Sequence, residues 1–228
     1  MTSDNATATF AVLFDIDGTL IDSNYLHIDA WDRAFRSVGH PVDVWRIHRS
    51  IGMDSAMLLD ELLGDESEAL GDAAKKEHGR LYANMASRLR PIGGGRELIT
   101  ELDKRGVRVV LATSAPDSEL QTLLTVLRTD VSVYAVTSSE DVDTAKPEPG
   151  IIQVALDKAG VRPEDAVMVG DSVWDMKAAK RAGVRAIGVL SGGFGREELL
   201  SAGATEVFDD VSELLATLDA GSLTGTRA

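Results

Sequence analysis

The sequence predicts an α/β fold, a Rossmann-like parallel sheet with helices on both faces and an all-helical cap inserted after the first strand. Two observations predict the sheet: its apolar runs are continuous rather than alternating, and helical periodicity separates them from residue 91 onward. Continuous apolar runs are typical of parallel strands that are covered on both faces. The repeated order of helix and strand is typical of a parallel sheet with right-handed crossovers.

Five apolar runs are the predicted strands, and the last of them is weaker than the others: residues 9–14, 107–113, 165–171, 184–190 and 131–138. Helical periodicity fills the intervals. Between residues 148 and 160, apolar side chains such as Ile152 and Leu156 recur on one helix face, and Gly160 ends the helix. Shorter helical patterns follow Asp171 and cover residues 97–104.

The alternation is interrupted by a segment that contains helical patterns and no strand-like run. Its four helical stretches are residues 23–38, 43–50, 54–63 and 66–89. We therefore predict two domains, an α/β core formed by residues 1–22 and 91–228 and a helical cap formed by residues 23–90.

Composition and charge exclude several classes of function. The chain has 228 residues, 44% of them apolar, which is enough to fill a core. Its formal net charge of −14 repels polyanions, so we expect no binding to nucleic acids or to anionic membranes. The sequence has no cysteine, which excludes disulfides, a cysteine nucleophile and thiolate metal sites.

The N-terminal residues lack a basic stretch, and their apolar run extends only from Phe10 to Phe14. A membrane span needs about 20 apolar residues, so we expect neither a signal peptide nor a membrane span. We expect a soluble cytoplasmic protein, either a monomer or a small homo-oligomer.

Four aspartates follow the predicted strands where those strands end. Asp15 and Asp17 come after the first strand, Asp171 ends the strand at 165–171, and Asp175 lies one helical turn further on. The carboxyl ends of parallel strands meet at one edge of the sheet, where ligands bind. Clustered carboxylates repel each other unless a cation neutralises them, and an oxygen-only donor set favours Mg²⁺ over Zn²⁺. The sequence therefore predicts a magnesium site at this edge.

A lysine and a threonine complete the predicted site. Lys146 lies in a Pro-rich loop, and Thr113 ends the second of these strands. A cation, a hydroxyl and a lysine suit a substrate phosphate, because stabilising the phosphate oxygens is most of the catalysis of phosphoryl transfer. Asp15 and Asp17 lie two positions apart before a turn at Gly18, so both can approach one phosphorus. One carboxylate can then attack while the other protonates the leaving oxygen.

Four ordered motifs resemble those of the haloacid dehalogenase-like superfamily, and the helical insert resembles the C1 cap of that family. The motifs are Asp15-Ile16-Asp17-Gly18-Thr19-Leu20, then Thr113, then Lys146, then Gly170-Asp171-Ser172 with Asp175. The match covers nearly the whole chain and points to the branch of phosphoglycolate phosphatases and β-phosphoglucomutases.

The resemblance implies a mechanism and a role for each matched residue. Asp15 is expected to be the nucleophile that forms an aspartyl-phosphate, and Asp17 the general acid and base. Mg²⁺ is expected to be held by Asp15, the backbone carbonyl of Asp17 and Asp171, while Asp175 positions either the metal's water or Lys146. Thr113 and the amide of Ser114 are expected to cradle the substrate phosphate beside the catalytic Lys146. Gly18 and Thr19 are also expected to bind the substrate.

Two cap residues are further candidates for substrate binding, each with an alternative. His27 lies twelve positions after Asp15, with Trp31 one turn later. In β-phosphoglucomutases, which this pattern resembles, such a histidine assists the general acid; the alternative is a half-buried helix histidine. Arg49 is expected either to contact a substrate anion or to face solvent.

Three functions follow from these residues. The first is a Mg²⁺-dependent phosphatase that hydrolyses a small phosphorylated metabolite through an aspartyl-phosphate. The second is a sugar-phosphate mutase of the β-phosphoglucomutase type, which His27 favours. The third is a binding protein on an inactive fold, although such proteins typically lose a catalytic acid or the lysine, and both are present here.

Overall fold

The structure is a computed structural model that describes residues 10–128, 133–141, 146–220 and 223. Within these residues, six parallel strands form one sheet. The strands are β1 (Ala11–Phe14), β4 (Arg108–Ala112), β5 (Ala135–Thr137), β6 (Ala166–Gly170), β7 (Arg185–Val189) and β8 (Ala204–Phe208). Their order across the sheet is β5-β4-β1-β6-β7-β8. The predicted α/β fold with a parallel sheet is thereby confirmed.

Helices connect these strands and also fill the interval between the first two long strands. They are α1 (Asn24–Ser37), α2 (Val44–Ser50), α3 (Ser55–Leu63), α4 (Ser67–Ala83), α5 (Gly95–Lys104), α6 (Asp117–Leu127), α7 (Gly150–Ala159), α8 (Val173–Arg181), α9 (Arg196–Ala202) and α10 (Val211–Ala216).

Alternate side chains of each strand pack into two apolar clusters, one on each face of the sheet. Val12 and Phe14 of β1 pack with the apolar side chains of α5, α6 and α10. Ala11 and Leu13 pack with those of α7, α8 and α9. Because successive strand residues point to opposite faces, a strand between two helical layers must be apolar at every position. This is the physical reason for the continuous runs in the sequence.

Strand β8 is absent from the strands predicted from the sequence. It lies at the edge of the sheet. Its polar residues, the exposed Thr205 and the half-buried Glu206, interrupt the apolar run that would indicate a strand. The predicted strand at 131–138 is only three residues long in the described part, as β5. Residues 131–132 of that prediction, and residue 9 of the first one, lie outside the described residues.

A short antiparallel pair joins the two ends of the helical insert. Strand β2 (Ile21–Asp22) leads into the insert and pairs with β3 (Arg90–Pro91), which leads out of it. The pair includes residues 22 and 90, which stand on either side of the two predicted cap boundaries. It brings both connections to the carboxyl end of β1.

The insert consists of α1, α2, α3 and α4. The first three begin and end within one residue of their predicted bounds. The predicted fourth helix, residues 66–89, is wrong at its end, because α4 stops at Ala83 and a tighter turn covers residues 86–88. Helix α1 packs along α4, so the rings of Trp31 and His78 stack at 4.0 Å. Among the described residues, no helix combines the length and apolarity needed to cross a membrane.

Candidate active site

The chain turns sharply after β1 and thereby separates the side chains of Asp15 and Asp17. The Ile16 carbonyl accepts hydrogen bonds from the amides of Leu20, at 2.9 Å, and Ile21, at 3.0 Å. Gly18 has a φ of +74°, which favours glycine. A Cβ at this position would lie 2.3 Å from Asn24 Nδ2 and 2.5 Å from Asp171 Oδ2. The turn therefore needs glycine for both its backbone angle and its space.

Lys146 lies buried between two carboxylates. Its Nζ pairs with Asp15 Oδ1 and lies 2.7 Å from Asp175 Oδ1. Burial disfavours the charge of Lys146, but attraction to Asp15 and Asp175 outweighs it and raises the lysine pKa above its ordinary value. Burial also raises the pKa of Asp15 to about 7, despite the neighbouring lysine. The Lys146 ammonium thus forms ion pairs with two buried carboxylates.

Asp175 also holds the start of α8. Its Oδ2 accepts hydrogen bonds from the Ser172 amide at 3.0 Å and the Ser172 hydroxyl at 2.6 Å, and the Asp175 amide donates back to that hydroxyl. This reciprocal capping box fixes the Asp175 carboxylate one turn from Asp171.

Asp171 is held by hydrogen bonds from one residue of the turn after β1 and from the first residue of α1. Thr19 Oγ1 donates to Asp171 Oδ1 at 2.9 Å, and Asn24 Nδ2 donates to Asp171 Oδ2 at 2.9 Å. Burial, followed by repulsion from Asp175 and Asp15, raises the pKa of Asp171 well above its ordinary value. The carboxylate is thus firmly placed but lacks a charged partner of its own among the described residues.

Oxygens of Asp15, Asp171 and Asp175 lie within 4.8 Å of one another. Lys146 pairs with Asp15 and Asp175 but not with Asp171, so among the described residues one cation faces three buried carboxylates. Hard oxygen donors with excess negative charge suit a divalent cation such as Mg²⁺. The side chain of Asp17 belongs to a different group, with His27 and Glu119.

Asp17 contacts the first turn of α1. Its Oδ1 accepts a hydrogen bond from Ser23 Oγ at 2.5 Å and lies 3.4 Å from His27 Nε2. Burial acts to raise the pKa of Asp17, but the bonds from His27 and Ser23 outweigh it and lower that pKa. Burial acts to lower the pKa of His27, but attraction to Glu119 and Asp17 outweighs this effect and raises that pKa. A proton shared by this pair therefore lies mainly on His27.

A cavity of about 450 Å³ opens above these residues. From the sheet edge it is lined by Asp15, Asp17 and Thr113, and from the insert by Trp31 and Lys75, among others. A small molecule in this cavity would contact the carboxylates at one end and the insert helices at the other.

Some of the remaining predicted residues line the cavity, and others contact neighbouring residues outside it. Thr113 and Ser114 line the cavity, and Thr113 Oγ1 accepts a hydrogen bond from the Ala115 amide at 3.1 Å. Thr19 holds Asp171 instead of lining the cavity. Arg49 also lies outside it, because its guanidinium pairs with Glu198 at 2.5 Å and stacks over Phe194.

No sequence motif identifies four further residues of the site. Ser23 and Asn24 contact aspartates that lie 6 and 147 positions away. Glu119 and His78 reach His27 from α6 and α4, so they depend on how three helices pack together. Of these four, only Ser23 has a partner near enough in the chain for spacing to indicate the contact.

Comparison with known proteins agrees with this architecture. The family model of haloacid dehalogenase-like hydrolases matches residues 12–189. A phosphoglycolate phosphatase from Rhodospirillum rubrum is 32% identical over 216 residues, which cover 90% of this chain and 88% of that protein.

Solved structures share the fold. The crystal structure of a hydrolase from Pseudomonas syringae is 32% identical, with a TM-score of 0.87 over 93% of this chain and 99% of that one. A β-phosphoglucomutase from Clostridium difficile has a TM-score of 0.80 over 93% of this chain and 96% of that one. It is only 20% identical and shares the fold alone. The family and the enzyme class predicted from the motifs, a phosphoric ester hydrolase, are confirmed, and the chain belongs to the haloacid dehalogenase-like hydrolase family.

Proposed function

We propose that this hydrolase is a Mg²⁺-dependent phosphatase that acts in the cytoplasm on a small phosphorylated metabolite through an aspartyl-phosphate intermediate. One observation carries the proposal: two neighbouring carboxylates open into one cavity in different environments. Asp15 is paired with Lys146, and Asp17 is paired with His27. A carboxylate beside a lysine and a divalent cation is suited to attack as an anion, whereas a carboxylate beside a histidine is suited to pass on a proton.

A divalent cation fits the donor set. Asp15 and Asp171 would hold it, with the backbone carbonyl of Asp17 as the proposed third protein ligand. When bound, the cation would neutralise charge on the carboxylates and on the substrate phosphate. Asp175 is already engaged by Lys146 and Ser172, so we assign it the role of fixing Lys146.

In the first proposed step, the Asp15 carboxylate attacks the phosphorus and the ester P–O bond breaks. The leaving oxygen takes a proton that passes from His27 Nε2 through Asp17, whose Oδ1 lies 3.4 Å from that nitrogen, so that Asp17 is left as a carboxylate and His27 as a neutral ring. In the second step, water attacks the phosphorus of the aspartyl-phosphate, and Asp17 takes a proton from that water. Inorganic phosphate leaves and the Asp15 carboxylate is restored.

The insert excludes large substrates and bulk water from these steps. Trp31, Leu58 and His78 line the cavity from the insert. Closed sites of this kind strengthen the electrostatic interactions inside them. The proposed substrate is therefore a small molecule, for which the phosphoglycolate phosphatase relative gives the first compound to test.

We expect the purified protein to release inorganic phosphate from one or more members of a panel of phosphorylated metabolites that includes phosphoglycolate and sugar phosphates. Release should need Mg²⁺ and should stop with a chelator, because the carboxylates then repel the substrate phosphate. The measurement is phosphate release with Mg²⁺, with chelator, and with chelator followed by excess Mg²⁺. Equal rates in all three conditions would contradict the metal requirement.

A sugar-phosphate mutase is the second candidate, favoured by the contact between His27 and Asp17. Mutases return the phosphoryl group to the other end of a rotated intermediate before water takes it. Incubation with β-glucose 1-phosphate and a glucose bisphosphate primer separates the two functions. We expect inorganic phosphate; glucose 6-phosphate formed without it would establish the mutase.

Replacing Gly192 by alanine is expected to displace Asp171. A Cβ at position 192 would lie 1.7 Å from Asp171 Oδ2 and 2.5 Å from its Cγ, so the carboxylate must move. We expect kcat to fall about 100-fold, as when a catalytic group is misplaced by about 1 Å. The concentration of Mg²⁺ needed for half-maximal rate should rise as well.

The matched control is Gly93→Ala, because a Cβ at position 93 would meet nothing within 4 Å. Its rate and its Mg²⁺ dependence should match those of the wild type. A Gly192→Ala protein with wild-type Mg²⁺ dependence would contradict the proposed role of Asp171.

A further inference from the structure

His78 of α4 is a buried histidine that the proposed steps do not use. It is 9% exposed, and its ring stacks on Trp31 with a centroid distance of 4.0 Å. Burial, together with the charges of His27 and Lys75, lowers the pKa of His78 to about 2. The ring is thus neutral at ordinary pH, and one of its two nitrogens can donate while the other accepts.

The two nitrogens of His27 are directed at groups from three different parts of the chain. Nε2 lies 3.4 Å from Asp17 Oδ1 and 3.6 Å from Glu119 Oε1, both of which belong to the core. Nδ1 lies 3.1 Å from His78 Nε2, behind the ring. Tyr82 stacks on the His27 ring at 3.8 Å. The ring is therefore fixed in its plane by hydrogen bonds and across its plane by stacking.

The contact with His78 determines which nitrogen of His27 faces the site. A free imidazole can flip about its χ2 torsion, which has two broad minima, and then presents the other ring edge to its neighbours. Bonded to His78 through Nδ1, the ring keeps Nε2 directed at Asp17. When His27 is protonated, its Nδ1–H donates to His78 Nε2. When it is neutral with its proton on Nε2, the other tautomer of His78 donates to Nδ1.

We propose that His78 is a positioning residue that holds His27 Nε2 against Asp17, so that the general acid is supplied with its proton as the leaving group departs. The proposal rests on the proposed function, since it assigns His78 to the first step of that mechanism. It also joins the helical insert to the chemistry of the core, because His78 of α4 reaches Asp17 through His27 of α1.

The test is a pair of substitutions that differ in one hydrogen bond. His78→Leu and His78→Gln both remove the ring and its stacking on Trp31. A Gln amide places a donor and an acceptor near the former position of Nε2, whereas Leu places neither there. Loss of stacking is therefore common to both proteins, and loss of the bond to His27 is confined to the Leu variant.

Two esters separate proton delivery from binding. An alkyl phosphate from the active part of the panel releases an alkoxide that needs a proton, whereas p-nitrophenyl phosphate releases a stable anion that does not. In His78→Leu we expect kcat on the alkyl ester to fall about 100-fold, the low end of general acid catalysis. On p-nitrophenyl phosphate we expect a fall of about 3-fold or less, with KM little changed for both esters.

His78→Gln should recover the alkyl ester rate to within about 5-fold of the wild type. In the Asp17→Asn background, His78→Leu should cause no further loss, because the residue acts through Asp17. His40, a half-buried histidine of the insert that pairs with Glu66, is the matched control, and His40→Gln should change neither rate.

Three results would overturn the proposal: equal losses on the two esters, a raised KM with unchanged kcat, or a Gln variant as slow as the Leu variant. Each leaves the proposed phosphatase function standing. If the wild-type protein hydrolyses neither ester with Mg²⁺, the proposed function fails and the role of His78 fails with it.

Discussion

Substitution of Asp15 by asparagine is expected to lower kcat about 10⁴-fold or more, a loss of the size seen when a covalent nucleophile is removed. Asparagine has nearly the shape of aspartate but lacks the negative charge that attacks phosphorus. Asp15 is buried directly after the last residue of β1. The measurement is phosphate release from p-nitrophenyl phosphate and from the active metabolites of the panel.

The same substitution tests the covalent intermediate directly. Wild-type protein quenched with acid during turnover of a radioactive phosphate ester should retain label that hydroxylamine removes, as expected of an acyl phosphate. Asp15→Asn should retain none. Asp22→Asn is the control, because Asp22 is an exposed aspartate seven positions further on, and it should behave as the wild type. Label retained by Asp15→Asn would assign the nucleophile to another residue.

The sequence predicts the sheet edge well, for a physical reason. Continuous apolar runs identify the parallel strands, and topology then brings their carboxyl ends together, so Asp15 and Asp171 must be neighbours wherever the helices lie. In the structure, β1 and β6 pair directly, and the oxygens of Asp15, Asp171 and Asp175 lie within 4.8 Å of one another. The proximity of Asp15 and Asp171 follows from this backbone pairing, whereas Asp175 is placed by the start of α8.

The insert side of the site is predicted less well, because it depends on side-chain packing between helices. His27 is found from its spacing to Asp15, but its partners Glu119 and His78 belong to helices whose relative placement has no motif. Arg49 illustrates the reverse case. As a cation in the last turn of α2 it is a reasonable ligand for a substrate anion, yet its guanidinium contacts Glu198 and Phe194 instead. Short-range patterns do not encode such contacts.

The second large effect is expected from Lys146→Met, which removes a buried charge and keeps a side chain of similar length. Asp15 and Asp175 then lose the cation that they share. Breaking a buried ion pair from one side typically costs about 3–5 kcal/mol, because a buried charge is left uncompensated. We expect the free energy of unfolding without metal to fall by about this amount, and kcat to fall about 1,000-fold because a charge on the phosphate oxygens is lost.

Added Mg²⁺ provides the sharper readout. A cation that binds only the folded state stabilises it by mass action, and the variant presents one more uncompensated negative charge to that cation. Mg²⁺ should therefore raise the unfolding midpoint of Lys146→Met more than that of the wild type, while kcat stays low. The control is Lys158→Met, since Lys158 pairs with Asp141 at the surface and such pairs contribute about 1 kcal/mol or less. If Mg²⁺ stabilised neither the wild type nor the variant, the carboxylates would have another counter-charge, and the assignment of this edge of the sheet as a metal site would be wrong.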